Sequence, residues 1–208
     1  MKRLIFVTIL FVLGFCLLGA GCTAEEETTP APAPAPAALP TLNPMPVKEF
    51  DSPSSFPTGL TWDGQYLWNS DYQSEMIYAI DPADGQVIKS FDAPDSDPEG
   101  LAWDGRYIWH VDGGNAYKLG QDAKLYIYRI DPASGEATRM FEAPRPGYNA
   151  EDLAWDGHYL WYIDGGQDAQ TEGTSTIYKV DPDTGVVVKS FDAPGPNPSG
   201  LAWDGSYL

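Results

Sequence analysis

An all-β chain, with four antiparallel strands to a sheet and one sheet to a repeat, is what this 208-residue sequence predicts. The first observation behind that is a recurring stretch. Leu60-Thr61-Trp62-Asp63-Gly64-Gln65-Tyr66-Leu67-Trp68 returns as Leu101 to Trp109, as Leu153 to Trp161 and, cut short, as Leu201 to Leu208, and these four copies hold all seven tryptophans. The second is the period: units opening at Phe50, Phe91, Phe141 and Phe191 follow one another at 41, 50 and 50 residues. The third is the texture inside a unit, four short runs rich in Val, Ile, Tyr and Trp, divided by turn residues and free of helical periodicity. One such sheet cannot bury its own apolar sides, so successive sheets must stack. Radial stacking at this period makes a β-propeller, with about three and a half blades in residues 47–208.

Taken in order, the inner strand of a unit reads as in Leu101-Ala102-Trp103, with large side chains on one face and a small one on the other. Asp63-Gly64, Asp104-Gly105, Asp156-Gly157 and Asp204-Gly205 then mark a hairpin, expected as a two-residue Asp-Gly loop of type I′. Between the third and fourth strands, Asp81-Pro82-Ala83-Asp84-Gly85, Asp131 to Gly135 and Asp181 to Gly185 place proline where a type I turn fixes φ and glycine where the exit needs a left-handed residue. The aspartates of both turns are therefore expected to be structural. Lys48, Lys89, Arg139 and Lys189 recur two residues before each phenylalanine, a cation on the outermost strand that discourages edge-to-edge pairing. Because the last copy stops inside its motif, the sequence is expected to belong to a longer propeller.

Two segments precede the repeats. Lys2 and Arg3 lead an apolar run, Leu4 to Leu18, followed by Gly19-Ala20-Gly21-Cys22. That is the layout of an export signal, residues 1–22, and the run is too short to favour a permanent membrane span. Small residues ahead of Cys22 resemble the lipobox of prokaryotic lipoproteins, with Gly19 where that motif usually has leucine. The resemblance implies lipidation of Cys22 and anchoring to the outer face of the cytoplasmic membrane or the cell surface. Residues 23–46, with Pro30-Ala31-Pro32-Ala33-Pro34-Ala35-Pro36, form an extended spacer able to reach about 70 Å. The only cysteines, Cys16 and Cys22, lie in the leader, so the exported part has no disulfide. Removing Lys2 and Arg3 with the leader leaves 10 basic against 30 acidic residues, which argues against nucleic acid as a partner.

In a propeller the hairpin turns and the Asp-Pro-x-x-Gly turns share one face. The opposite face varies among copies, with 6 residues from Asp71 to Ile77, 15 from Asp112 to Ile127 and 13 from Asp164 to Ile177. Polar, Gly-rich insertions on a rigid scaffold are where function concentrates. Candidate ligand-binding residues there are Asp112, Asn115, Asp164 and Asp168, with Thr58, Glu99, Asp152 and Ser199 entering the inner strands beside the channel. No cofactor is called for, although clustered carboxylates have the oxygen chemistry that Ca2+ takes, or that of a general base. His110 and His158 are expected to be packing or surface residues. There is no nucleophile elbow, phosphate-binding glycine loop or zinc-spaced His/Cys set.

The stretches Phe56-Pro57-Thr58-Gly59-Leu60-Thr61-Trp62-Asp63-Gly64 and Pro98-Glu99-Gly100-Leu101-Ala102-Trp103-Asp104-Gly105, with Ile77-Tyr78-Ala79-Ile80-Asp81-Pro82 and Ile127 to Pro132, resemble the glutamine cyclotransferase-like and streptogramin-lyase-like propeller group. The WD-repeat family is a poorer match. Cyclotransferases open their first blade with Phe-Thr-Gln/Glu-Gly-Leu; here Thr58 takes the place of the acid or amide, and Glu99 carries an acid in the second unit. Two functions follow as expectations. The first is a non-catalytic recognition domain, exported and tethered, for an extracellular protein, peptide or glycan. The alternative is a glutaminyl-peptide cyclotransferase-like or lyase-like enzyme, in which the resemblance puts Glu99 and Asp152 at the catalytic site.

Overall fold

In a computed structural model of the chain, residues 47–113, 124–144, 150–165, 175–195 and 197–208 are described. All of them belong to the compact unit Pro46–Leu208. Twelve strands are found there: β1 (Pro57–Trp62), β2 (Leu67–Asp71), β3 (Met76–Ile80), β4 (Val87–Asp92), β5 (Pro98–Trp103), β6 (Ile108–Asp112), β7 (Tyr126–Ile130), β8 (Ala137–Glu142), β9 (Ala150–Trp155), β10 (Leu160–Asp164), β11 (Thr176–Val180) and β12 (Val187–Asp192). They pair consecutively and antiparallel into three four-stranded sheets, β1–β4, β5–β8 and β9–β12. No helix occurs among the described residues.

The sheets stack through faces set by strand alternation. Trp68, Ile77 and Ala79 of the first sheet pack against Leu101, Ile108, Tyr128 and Ile130 of the second. Trp109, Val111, Ile127 and Ala102 of the second do the same against Leu153, Leu160 and Tyr162 of the third. The third sheet's Trp161, Ile163 and Ile177 are met by Leu201 and Trp203 of the fourth copy. The large-and-small alternation read from Leu101-Ala102-Trp103 is thus what lets adjacent sheets approach.

The hairpin aspartate holds the inner end of each unit together. Asp104 Oδ1 accepts the Arg106 and Tyr107 N–H groups at 2.7 Å, while Oδ2 accepts the Trp109 indole N–H at 2.8 Å. Asp63 does the same for Gln65, Tyr66 and Trp68. Asp156 serves His158, Tyr159 and Trp161 and adds an ion pair to Lys179 at 2.9 Å. Burial pushes the Asp63 and Asp156 carboxyls up, but the hydrogen bonds outweigh it, holding Asp63 below its ordinary value and Asp156 down at about 2. The motif therefore recurs because one aspartate, two amides and the second tryptophan form a single bonded unit. The turn is not the expected type I′ loop. Only the glycines, Gly64, Gly105, Gly157 and Gly205, have positive φ, and the aspartate flanks a Gly-x loop instead of entering it, since its N–H bonds to the carbonyl of Tyr66, Tyr107, Tyr159 or Tyr207. A positive φ at the first loop residue alone is the pattern of a type II′ turn.

The Asp-Pro-x-x-Gly turns match expectation, with Gly85, Gly135 and Gly185 at φ 71 to 79° and each donating its N–H to the aspartate carbonyl at 2.8 Å. They also join sheets. The phenylalanine that opens each unit lies against the Asp-Pro-x-x-Gly glycine of that unit: a Cβ on Gly135 would stand 2.9 Å from Phe91, and one on Gly85 or Gly185 2.6 Å from Phe50 or Phe141. Phe91 and Phe141 also lean on the tryptophans of their own sheets, Trp68 and Trp109, at 5.7 and 6.4 Å between ring centroids. Of the cations read as edge guards, Lys89 reaches over to the Pro132 carbonyl at 3.0 Å, and Arg139 lies 4.0 Å above the Tyr126 ring.

Candidate functional site

A cavity of about 370 Å³ is bounded by Leu60–Trp62, Leu101–Trp103, Leu153–Trp155 and Leu201–Trp203, the inner segment of every copy. One space shared by four equivalent segments is the axis of a radial stack. Each of the three inner strands β1, β5 and β9 carries a register shift near its start: between Pro57 and Leu60, between Pro98 and Leu101, and opposite Ile163/Asp164 in the third sheet. A bulge re-aims the residues it contains. Here it lies just ahead of the Leu-x-Trp segments that bound the cavity, and it holds one equivalent side chain in each of these strands.

Register identifies that side chain. Pro57 pairs with Asp71, Pro98 with Asp112 and Ala150 with Asp164, so the residues that follow, Thr58, Glu99 and Glu151, are equivalent. Sequence reasoning put Asp152 in this set and missed Glu151. Counting back two places from the leucine of each Leu-x-Trp gives Thr58, Glu99, Glu151 and Ser199, and would have found it. Asp152 occupies instead the place held elsewhere by Gly59, Gly100 and Gly200.

That substitution has a structural use. Asp152 Oδ1 accepts the Leu153 N–H at 2.8 Å, Oδ2 accepts the Leu201 N–H at 2.8 Å, and the Leu101 N–H also bonds to the carboxylate. One side chain thereby ties the inner segments of three successive copies. Burial raises its pKa to about 6 against the lowering effect of these three amides. In the first sheet the same join is made by hydroxyls: Thr58 Oγ1 donates to the Pro98 carbonyl at 2.7 Å, and Ser70 Oγ donates to the Glu99 carbonyl at 2.5 Å while accepting the Gly59 N–H.

Glu99 and Glu151 have no such commitment. Burial raises Glu99 to about 8, reinforced by Glu151, Asp97, Asp112 and Asp152, and it raises Glu151 to about 7, reinforced by Asp152 and Asp164. Each lies against a glycine that follows the second strand, Glu99 on Gly113 and Glu151 on Gly165, where any side chain would displace it. Around neutral pH the pair therefore carries protons that ordinary glutamates have lost, giving O–H donors near carboxylate acceptors.

The other candidates named from the sequence separate by environment. Asp112 and Asp164 are buried, and Asp164 accepts the Thr176 N–H at 3.0 Å and the Tyr178 hydroxyl at 3.2 Å. Ser199 is exposed. Asn115, Asp168 and Cys22 lie outside the described residues. Among the described residues no three His, Cys, Asp or Glu side chains are grouped to hold a metal ion, so the calcium expectation finds no ligand set there. His110 is a packing residue, fully buried, whereas His158 is exposed against Tyr159 at 4.7 Å between centroids.

No protein-family model matches the chain, and no curated protein is significantly similar. Solved structures are. The nidogen/laminin complex gives a TM-score of 0.53 at 19% identity over 71% of this chain and 52% of that one. Glutaminyl cyclase of Myxococcus xanthus gives 0.47 at 17% over 66% and 50%, and streptogramin B lyase 0.47 at 20% over 74% and 46%. The chain spans about half the length of each, and at these identities the likeness is one of fold. The chain is a β-propeller. The described residues form three complete four-stranded blades and the inner segment of a fourth, with Glu99 and Glu151 at equivalent positions near the start of the inner strands of adjacent blades.

Proposed function

We propose that this chain is an exported, membrane-tethered recognition propeller that binds an extracellular protein, peptide or glycan at the axial mouth. The observation that carries this reading is the placement of Glu99 and Glu151 at equivalent bulges of neighbouring blades, half-buried, with pKa values lifted to about 8 and about 7. Such a pair can donate to a carbonyl or hydroxyl and accept from an amine or amide in the same small space. Export and lipidation of Cys22 rest on the leader sequence, and tethering on the Pro/Ala-rich composition of residues 23–46. Arrays of peptides and glycans probed with the wild type and with Glu99→Gln/Glu151→Gln test the reading. Ligands that depend on the two acids support it; equal binding by both proteins overturns it.

A second reading is favoured by one observation, a carboxyl at Glu99 whose pKa of about 8 suits proton transfer near neutrality. It makes the chain a cyclotransferase-like or lyase-like enzyme with Glu99 as the acid–base group. Formation of pyroglutamate from N-terminal glutaminyl peptides, abolished in Glu99→Gln, would establish it.

A further inference from the structure

At the third position of the second strand the blades carry Asn69, His110 and Tyr162, in the same register opposite Leu60, Leu101 and Leu153. His110 is fully buried, on the face of the second blade whose Leu101, Ile108 and Tyr128 pack against Trp68, Ile77 and Ala79 of the first. Its Nδ1 lies 3.3 Å from the Gly100 carbonyl, just as the Asn69 amide donates to the Gly59 carbonyl at 2.9 Å. A carbonyl only accepts, so Nδ1 carries the proton and Nε2 is left as a bare acceptor, buried and without a hydrogen-bond partner. The ring stacks on Tyr128 at 6.3 Å between centroids.

We propose that His110 makes the contact between the first and second blades acid-sensitive, so that protonation of its Nε2 loosens these two blades while the second and third stay joined. A second proton on the ring would place a charge and an unpaired N–H donor inside an apolar interface. The groups available to offset it are few. Asp95, on the segment between β4 and β5, is engaged by the Tyr128 hydroxyl at 3.1 Å, and Arg139 of β8, of the wrong sign, bonds the same hydroxyl at 3.3 Å. Asp112 lies two residues further along β6 towards the mouth, while β2 and β3 face the second blade with Trp68, Ser70, Ile77 and Ala79. Burial accordingly lowers the His110 pKa to about 4, outweighing the raising effects of the Gly100 carbonyl and Asp95. At the junction of the second and third blades the equivalent residue is Tyr162, which gains no proton in this range. The hydrogen bonds that tie Thr58 and Ser70 to the backbone of Pro98 and Glu99 run between the loosened blades, so acid would also release the strand that carries Glu99.

The test uses residues the protein itself places here. His110→Asn copies the first blade and His110→Tyr copies the third, which keeps the test decisive if either variant fails to fold. Amide hydrogen exchange, corrected for intrinsic pH dependence, is compared at pH 7.5 and pH 4.5, alongside denaturant titrations at both. The expected result is a selective loss of protection in β2, β3, β5 and β6 of the wild type at low pH, absent in the variants. The folded-to-unfolded ratio of the wild type should fall roughly tenfold to a hundredfold more than that of His110→Asn over this range. Identical pH profiles for wild type and variants, or protection lost equally from all three blades, would overturn the proposal.

Discussion

Replacing Asp152 with glycine restores the residue that the other copies carry at that position, yet it is expected to weaken the protein. The carboxylate accepts the N–H groups of Leu101, Leu153 and Leu201, so the substitution leaves three amides near the axis without their acceptor. A buried N–H left unpaired costs about 1–3 kcal/mol. Glycine adds about 0.5–1 kcal/mol through the freer unfolded chain. Against this, the wild type holds a partly desolvated carboxylate whose pKa stands at about 6 instead of 3.8, an offset of about 3 kcal/mol at neutral pH. With mid-range values the net expectation for Asp152→Gly is a loss of about 4 kcal/mol, or a fall in Tm of roughly 8–16 °C for a domain of this size. Asp152→Asn keeps an acceptor oxygen and sheds the charge, so it should lie within about 1 kcal/mol of the wild type. Urea titration at pH 7.5 measures both. An Asp152→Gly variant as stable as the wild type would refute the idea that this side chain ties three inner segments.

Other consequences are more local. Asp104→Ala removes the acceptor for two amides and the Trp109 indole, and should cost about 2–4 kcal/mol in urea titrations, with a change in tryptophan fluorescence; Asp104→Asn keeps an oxygen for the two amides but turns an NH2 towards the indole N–H, so it should recover part of the stability and retain the fluorescence change. Gly135→Ala places a methyl group 2.9 Å from Phe91 at a φ of +78°, and is expected to lower Tm, whereas alanine at Gly105, where nothing lies within 4 Å, meets only the unfavourable φ and should cost less. Because the folded pKa of Glu99 is raised, its contribution to stability is fully present below the ordinary value near 4.5 and is lost as pH rises through 8. Thermal melts of the wild type should therefore weaken between about pH 4.5 and 8 and level off above it, and Glu99→Gln should flatten that decline.

The architecture was legible because the residues that repeat are the ones that build it. Trp, Asp and Gly of the inner hairpin recur as a bonded set, and Phe with the Asp-Pro-x-x-Gly glycine recurs as a contact between neighbours. Turn type was less legible, since an Asp-Gly pair fits two loops that differ only in whether the aspartate lies inside the loop or beside it; its side-chain bonds to the next two or three residues put it beside. At the mouth the class of residue was foreseeable and the identity was not. Glu151 and Asp152 are adjacent acids in one sequence, and only alignment on the leucine of each Leu-x-Trp, which the pairing of Ala150 with Asp164 bears out, shows that Glu151 matches Glu99. The role of His110 depends on its complete burial between two blades, which a lone histidine after a strand tryptophan does not announce.

The claim on which the functional account depends is that two glutamates on adjacent blades share an electrostatically strained opening at the end of the axis. Carboxyl-carbon NMR titration of the protein, assigned with Glu99→Gln and Glu151→Gln, measures it directly. The account predicts two glutamates that titrate near pH 8 and near pH 7, with removal of Glu151 lowering the pKa of Glu99. Two glutamates titrating independently near the ordinary value of 4.5 would contradict it.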